Sequence, residues 1–93
     1  MLIPNTVKVG AFMWQIKFVE MFEDKNTYGE CEKTTLCIKI KRGMPDDVTA
    51  ETLLHELIHA VNYGYEEEVV HTTSVLLFTT FRENPALRDV LFP

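Results

Sequence analysis

The chain has little with which to crosslink or anchor itself. Among its 93 residues only Cys31 and Cys37 are cysteines, and two cysteines do not make a disulfide framework. Their even spacing on one expected strand would hold them about 20 Å apart, too far to bridge. Reduced thiols of a cytoplasmic protein are the expectation. No apolar run approaches the roughly 18 residues of a membrane span. The start, MLIPNTVKVGAFMW, lacks a charged segment followed by a long apolar one, so no signal peptide is expected. Basic residues are also scarce: 9 Lys and Arg face 14 Asp and Glu, for a net charge of -5. The one basic run, Lys39-Ile40-Lys41-Arg42, is short and alternates like a strand. Neither nucleic acid nor an anionic membrane is an expected partner. Repeats and low-complexity tracts are absent.

What is present is ordinary globular material, 46% hydrophobic and 25% charged. The length suits one domain over residues 1–93. The first half reads as strands. Thr6–Val9 is short and β-prone, and Gly10 punctuates it. In Trp14–Phe22, Trp14, Ile16 and Phe18 share one side. The polar stretch Glu23–Glu30 reads as a loop or hairpin tip, and Thr34–Ile40 as the next strand, so an antiparallel pair is expected. Pro45, Asp46 and Asp47 begin a helix that should run from about Asp47 to Tyr63, with Gly64 as its left-handed closing residue. Tyr65–Glu68 opens a second helix, which Asn84-Pro85 ends. The tail is expected to add one short turn that covers the core. The expected fold class is therefore α+β: a small antiparallel sheet of two to three strands packed on the first helix and on a second, C-terminal helix.

The first helix carries His55-Glu56-Leu57-Ile58-His59. Positions i and i+4 share a helix face, so His55 and His59 can aim ring nitrogens at one ion, in the geometry zinc takes. Glu56 lies about 100° round the helix. There it can act as general base toward the water that zinc activates, and return the proton to a leaving amine. Leu53, Leu54, Leu57, Ile58, Ala60 and Val61 make this helix apolar nearly all round. Three titratable groups on a buried helix are costly without a partner such as a metal. The competing reading is a solvent-facing stripe through Thr52, His55, Glu56, His59 and Asn62.

A catalytic zinc usually has three protein ligands. A second helix folding back after Gly64 would return its first turn to the motif helix. Glu66, Glu67, Glu68 and His71 are the candidates for the third ligand. Glu67 is preferred because its face also carries the small Ser74 and can approach closely. The remaining glutamates read as an acidic turn favoured by the helix dipole.

With HELIH at His55–His59, the acidic Glu66–Glu68 and Arg82-Glu83-Asn84-Pro85 near the end, the chain resembles the minimal zinc metallopeptidases of the gluzincin type, zincin-like in fold, and small phage or prophage metallopeptidase-like proteins. The resemblance runs from about Trp14 to Pro85. It implies zinc on His55, His59 and a downstream glutamate, with Glu56 as general base. It also implies a protein or peptide substrate pairing with an edge strand, here Leu36–Ile40 or the segment beside it. Two departures stand out. Ala60–Gly64 carries no third histidine of the metzincin kind, and Val69-Val70-His71-Thr72 replaces the Asn-Ala-Phe-Ala-type continuation of phage-repressor-cleaving peptidases.

Tyr28, Tyr63 and Tyr65 are candidates to stabilise an oxyanion, though packing with a wet hydroxyl is the commoner role. Trp14 and Phe18 read as core, His71 as exposed, and Asp46 and Asp47 as helix-start residues. Three functions compete: a zinc-dependent endopeptidase, active or latent; a zinc-holding but non-proteolytic interaction module of a phage or host assembly; and a metal-free structural protein. Oligomeric state is left open.

Overall fold

The computed structural model describes all 93 residues. Strand β1 (Thr6–Val9) and strand β2 (Phe12–Val19) form an antiparallel hairpin in which Val9 pairs with Phe12, leaving Gly10-Ala11 as a two-residue turn. Gly10 has φ +58, which the first central position of a II′-type hairpin requires and which glycine adopts freely. Strand β3 (Gly29–Glu32) pairs antiparallel with strand β4 (Cys37–Lys41), and β4 lies parallel to β2. The order across the sheet is β1-β2-β4-β3.

The expected sheet of two or three antiparallel strands is thus corrected to four strands in a mixed sheet. Residues 20–36 are long enough for the crossover that a parallel pair needs, and part of that crossover is β3 itself. Gly29-Glu30-Cys31-Glu32 carries almost no hydrophobic alternation, so it reads as loop. Leu36, at φ 52, belongs to the turn before β4 rather than to the strand. The cysteines therefore sit on neighbouring strands, not on one. Cys31 pairs with Ile38 and Cys37 with Glu32, so the two thiols point to opposite sheet faces, and both are free. Because β4 is interior, it cannot be the edge that receives a substrate. The segment beside it, β3, is the edge.

Helix α1 (Asp46–Val61) lies across one sheet face. Leu53, Leu57 and Ala60 pack on a core of Trp14, Ile16, Ile38 and Ile40, with Phe18 at its border. Asp46 and Asp47 occupy the first turn, and the Asp47 carboxylate accepts from the Val48 N–H at 2.9 Å. The helix is less enclosed than its composition suggests: its buried residues are Thr49 and Glu56, and Val61 is exposed. Gly64 is not its left-handed terminator, since only Gly10 and Gly43 among the glycines have positive φ. Asn62 ends the helix in an extended conformation, and its Oδ1 accepts from the Gly64 N–H at 3.1 Å.

Helix α2 (Glu67–Glu83) packs on α1 through the buried Val70 and Ser74, and helix α3 (Pro85–Leu91) packs on α2 alone. No residue of α3 is buried, so the tail does not cover the core as expected. No helix is long and apolar enough to cross a membrane.

Candidate metal centre

His55 and His59 stand one turn apart on α1, on the side that faces the start of α2. Asn62 ends α1, and α2 begins at Glu67 after the short connection. That return lays the Glu67 carboxylate between the two imidazoles. His55 Nε2 is 2.7 Å from Glu67 Oε1, and His59 Nε2 is 2.7 Å from Glu67 Oε2. The histidine side chains are 16% and 17% exposed, whereas that of Glu67 is 71% exposed. The motif face is therefore turned into a cleft, not onto a solvated stripe. Of the four candidates for the third ligand, Glu67 is the one brought to both rings. Glu66 occupies the position before α2 with no side-chain hydrogen bond to the helix start, and Glu68 is exposed. The His71 ring lies 6.1 Å from that of His55, centroid to centroid.

The surroundings of His55 bear on what this group holds. Ser74 is fully buried. Its hydroxyl donates to the His71 carbonyl at 3.0 Å and lies 3.4 Å from His55 Nδ1. A hydroxyl has one proton to donate, so toward His55 it is placed to accept, which it does in the tautomer with the hydrogen on Nδ1. His55 Nε2 then presents a lone pair to Glu67 Oε1. A lone pair and a carboxylate at 2.7 Å need a positive centre between them, either a second ring proton or a cation. The donor atoms of His55, His59 and Glu67 all lie within 4.8 Å of one another. A tetrahedral ion with bonds near 2.1 Å spaces its donors about 3.4 Å apart, between the shortest separation and the widest bound. Two nitrogens and one carboxylate with an open side can hold a metal ion.

Glu56 lies deeper, 6% exposed. Burial, and then the negative charges of Glu67 and Glu30, raise its carboxyl to about 7. Strand β3 presses on it. A Cβ added to Gly29 would stand 2.9 Å from Glu56 Oε2 and 2.7 Å from Thr52 Cγ2, so only glycine lets the edge strand approach this closely. The Cys31 thiol, on the same face of β3, is pushed up to about 12, first by burial and then by the charge of Glu56.

The backbone of β3 contributes too. The Lys41 N–H donates to the Tyr28 carbonyl at 2.9 Å. Alternation along an antiparallel ladder then turns the N–H and C=O of Gly29 and Cys31 outward, toward the free edge. Tyr63 donates its hydroxyl to the Cys31 carbonyl at 2.9 Å, so its oxygen is already committed to bracing the edge. Cavities of about 550 Å³ and about 330 Å³ flank the centre and share Gly29, Glu56 and Glu67; Tyr28 lines the first and Tyr65 the second.

Three contributors were not legible as site residues. Gly29 was masked by its polar neighbours. Ser74, noted only as small, lies two turns after Glu67 on the same face. Glu51, one turn before His55, lines the larger cavity, and the i−4 spacing alone could have flagged it. The chain matches no protein-family model, no curated protein and no solved structure, so a functional reading has the geometry of this group to rest on.

Proposed function

We propose that the chain is a zinc-dependent peptidase of minimal zincin-like form, cutting internal bonds of protein or peptide substrates. His55, His59 and Glu67 hold the zinc, and Glu56 is the general base. The observation that carries this reading is the convergence of two Nε2 atoms on one carboxylate, each at 2.7 Å, beside a buried glutamate. Bound there, zinc would acidify a water and polarise the substrate carbonyl. Glu56 takes the proton from the attacking water and delivers it to the leaving nitrogen. Geometry supports both steps: Glu56 is buried and lines both cavities that flank the centre, where a general base toward the attacking water must lie. The outward N–H and C=O of Gly29 can pair with the substrate backbone and hold the scissile bond against Glu56. The two free cysteines suit a reducing compartment such as the cytoplasm.

Elemental analysis of protein purified without chelator tests the metal. One zinc per chain is expected, lost in His55→Ala and Glu67→Ala. Retained zinc with abolished cleavage of an unfolded protein substrate is expected for Glu56→Gln. Absence of zinc from the wild type would overturn the reading. One observation favours a second reading, a zinc-holding interaction module without proteolysis: Glu67 is 71% exposed and α3 packs away from the centre, so no element walls that side of the cleft. Stoichiometric zinc without any Glu56-dependent cleavage would select it.

A further inference from the structure

The two cavities beside the centre meet at Gly29, Glu56 and Glu67. A chain laid along β3 therefore passes from one into the other across the His55–His59–Glu67 group. The larger cavity is lined by Glu51, Glu56 and Glu67, and by no lysine or arginine. Glu67 is engaged by the two histidines. Glu56, 6% exposed, opens into this cavity with no ion-pair partner. Glu51 has no task in the proposed chemistry. It is half-buried and belongs to none of the ion pairs of the protein. Lys41, whose Nζ sits 5.7 Å from the ring centroid of the lining residue Tyr28, is itself outside the cavity lining.

Glu51 is one helical turn before His55, about 6 Å along the axis of α1. Alternate side chains of an extended peptide are spaced about 6.8 Å apart. A long side chain next to a bond held over the centre, or one two residues away, therefore reaches Glu51. Charge complementarity in a partly desolvated cleft discriminates between ligands more strongly than the same charges do in open water.

We propose that the cleft selects substrates with a lysine or arginine within two residues of the reacting bond, and that Glu51 receives the cation. The position of the bond rests on the hydrolytic reading above; the demand for a cation rests on the cavity.

The test uses the zinc-loaded full chain and a set of otherwise identical peptides that vary one flanking residue among arginine, lysine, alanine and glutamate. Arginine and lysine peptides should exceed the glutamate peptide at least tenfold in kcat/KM. Glu51→Gln should reduce that ratio below about threefold, and Glu51→Lys should reverse it, with zinc content the same in all three proteins. In parallel, zinc-loaded Glu56→Gln is titrated with the arginine and glutamate peptides to read binding without turnover. Cleavage without charge preference, or a preference that survives Glu51→Gln and Glu51→Lys, would overturn this inference and leave the peptidase reading standing. Glu51-dependent binding of the arginine peptide with no cleavage of any peptide would support the inference and remove the peptidase reading.

Discussion

Replacing Glu56 by glutamine should stabilise the metal-free protein, and the gain should depend on pH. The Glu56 carboxyl is raised from the usual 4.5 to about 7, chiefly by burial. The folded state therefore holds this proton more tightly than the unfolded chain does. A carboxyl shifted upward lowers stability as pH rises: nothing is lost below about pH 4.5, the loss accumulates between 4.5 and 7, and it is complete above 7. At 1.36 kcal/mol per pH unit, the interval corresponds to about 3 kcal/mol. The opening of Glu56 to the cavity makes this an upper bound. Even ~1 kcal/mol moves the melting temperature of a domain this size by roughly 4–8 °C. Thermal melts of wild type and Glu56→Gln in excess chelator, from pH 4 to pH 8, read the effect. The two should melt together near pH 4 and separate progressively to pH 7, with the variant higher. A variant that melts at or below the wild type at pH 8, or whose advantage is the same at every pH, would refute the reasoning. The outcome matters functionally: stability given up to keep a carboxylate under β3 is expected of a group retained for chemistry.

Ser74→Ala should weaken zinc binding 10- to 100-fold, as loss of a ligand's hydrogen-bond partner does. Competition with a chromophoric chelator measures it, and the nitrogen shifts of His55 in the metal-free protein should show the ring hydrogen leaving Nδ1. Gly29→Ala places a methyl 2.7 Å from Thr52 Cγ2 and 2.9 Å from Glu56 Oε2, so it should cost about 1–3 kcal/mol. Denaturant titration should show Thr52→Ser restoring part of that loss, since it removes the nearest clashing atom. Cys31, raised to about 12, holds little thiolate near neutrality. Mass spectrometry after iodoacetamide at pH 8 should find it unmodified in the folded protein and alkylated once urea unfolds the chain.

The sequence by itself determined which side chains α1 brings to one face. The four-residue interval between His55 and His59 depends only on helical periodicity, and Glu56 follows from the same geometry. Both helices were legible from local signals: Pro45 with two aspartates, and an acidic first turn closed by Asn84-Pro85. Trp14 and Ile16 were legible as sharing one strand face, and Trp14 as core, because strand alternation is also local. Tertiary structure decided what depends on contacts between distant segments. The parallel placement of β4 beside β2 follows from β3, a strand whose residues bear no hydrophobic pattern because its merit is a close approach of bare backbone at Gly29. The preference for Glu67 rested on which face carried Ser74. Its separation from Glu66 and Glu68 depended on the angle at which Asn62 releases the chain into α2, which no local periodicity encodes. The burial of Glu56 and the hydrogen bond between Ser74 and His55 exist only once sheet, α1 and α2 are assembled, because desolvation and side-chain tautomer are set by neighbours far away in the chain.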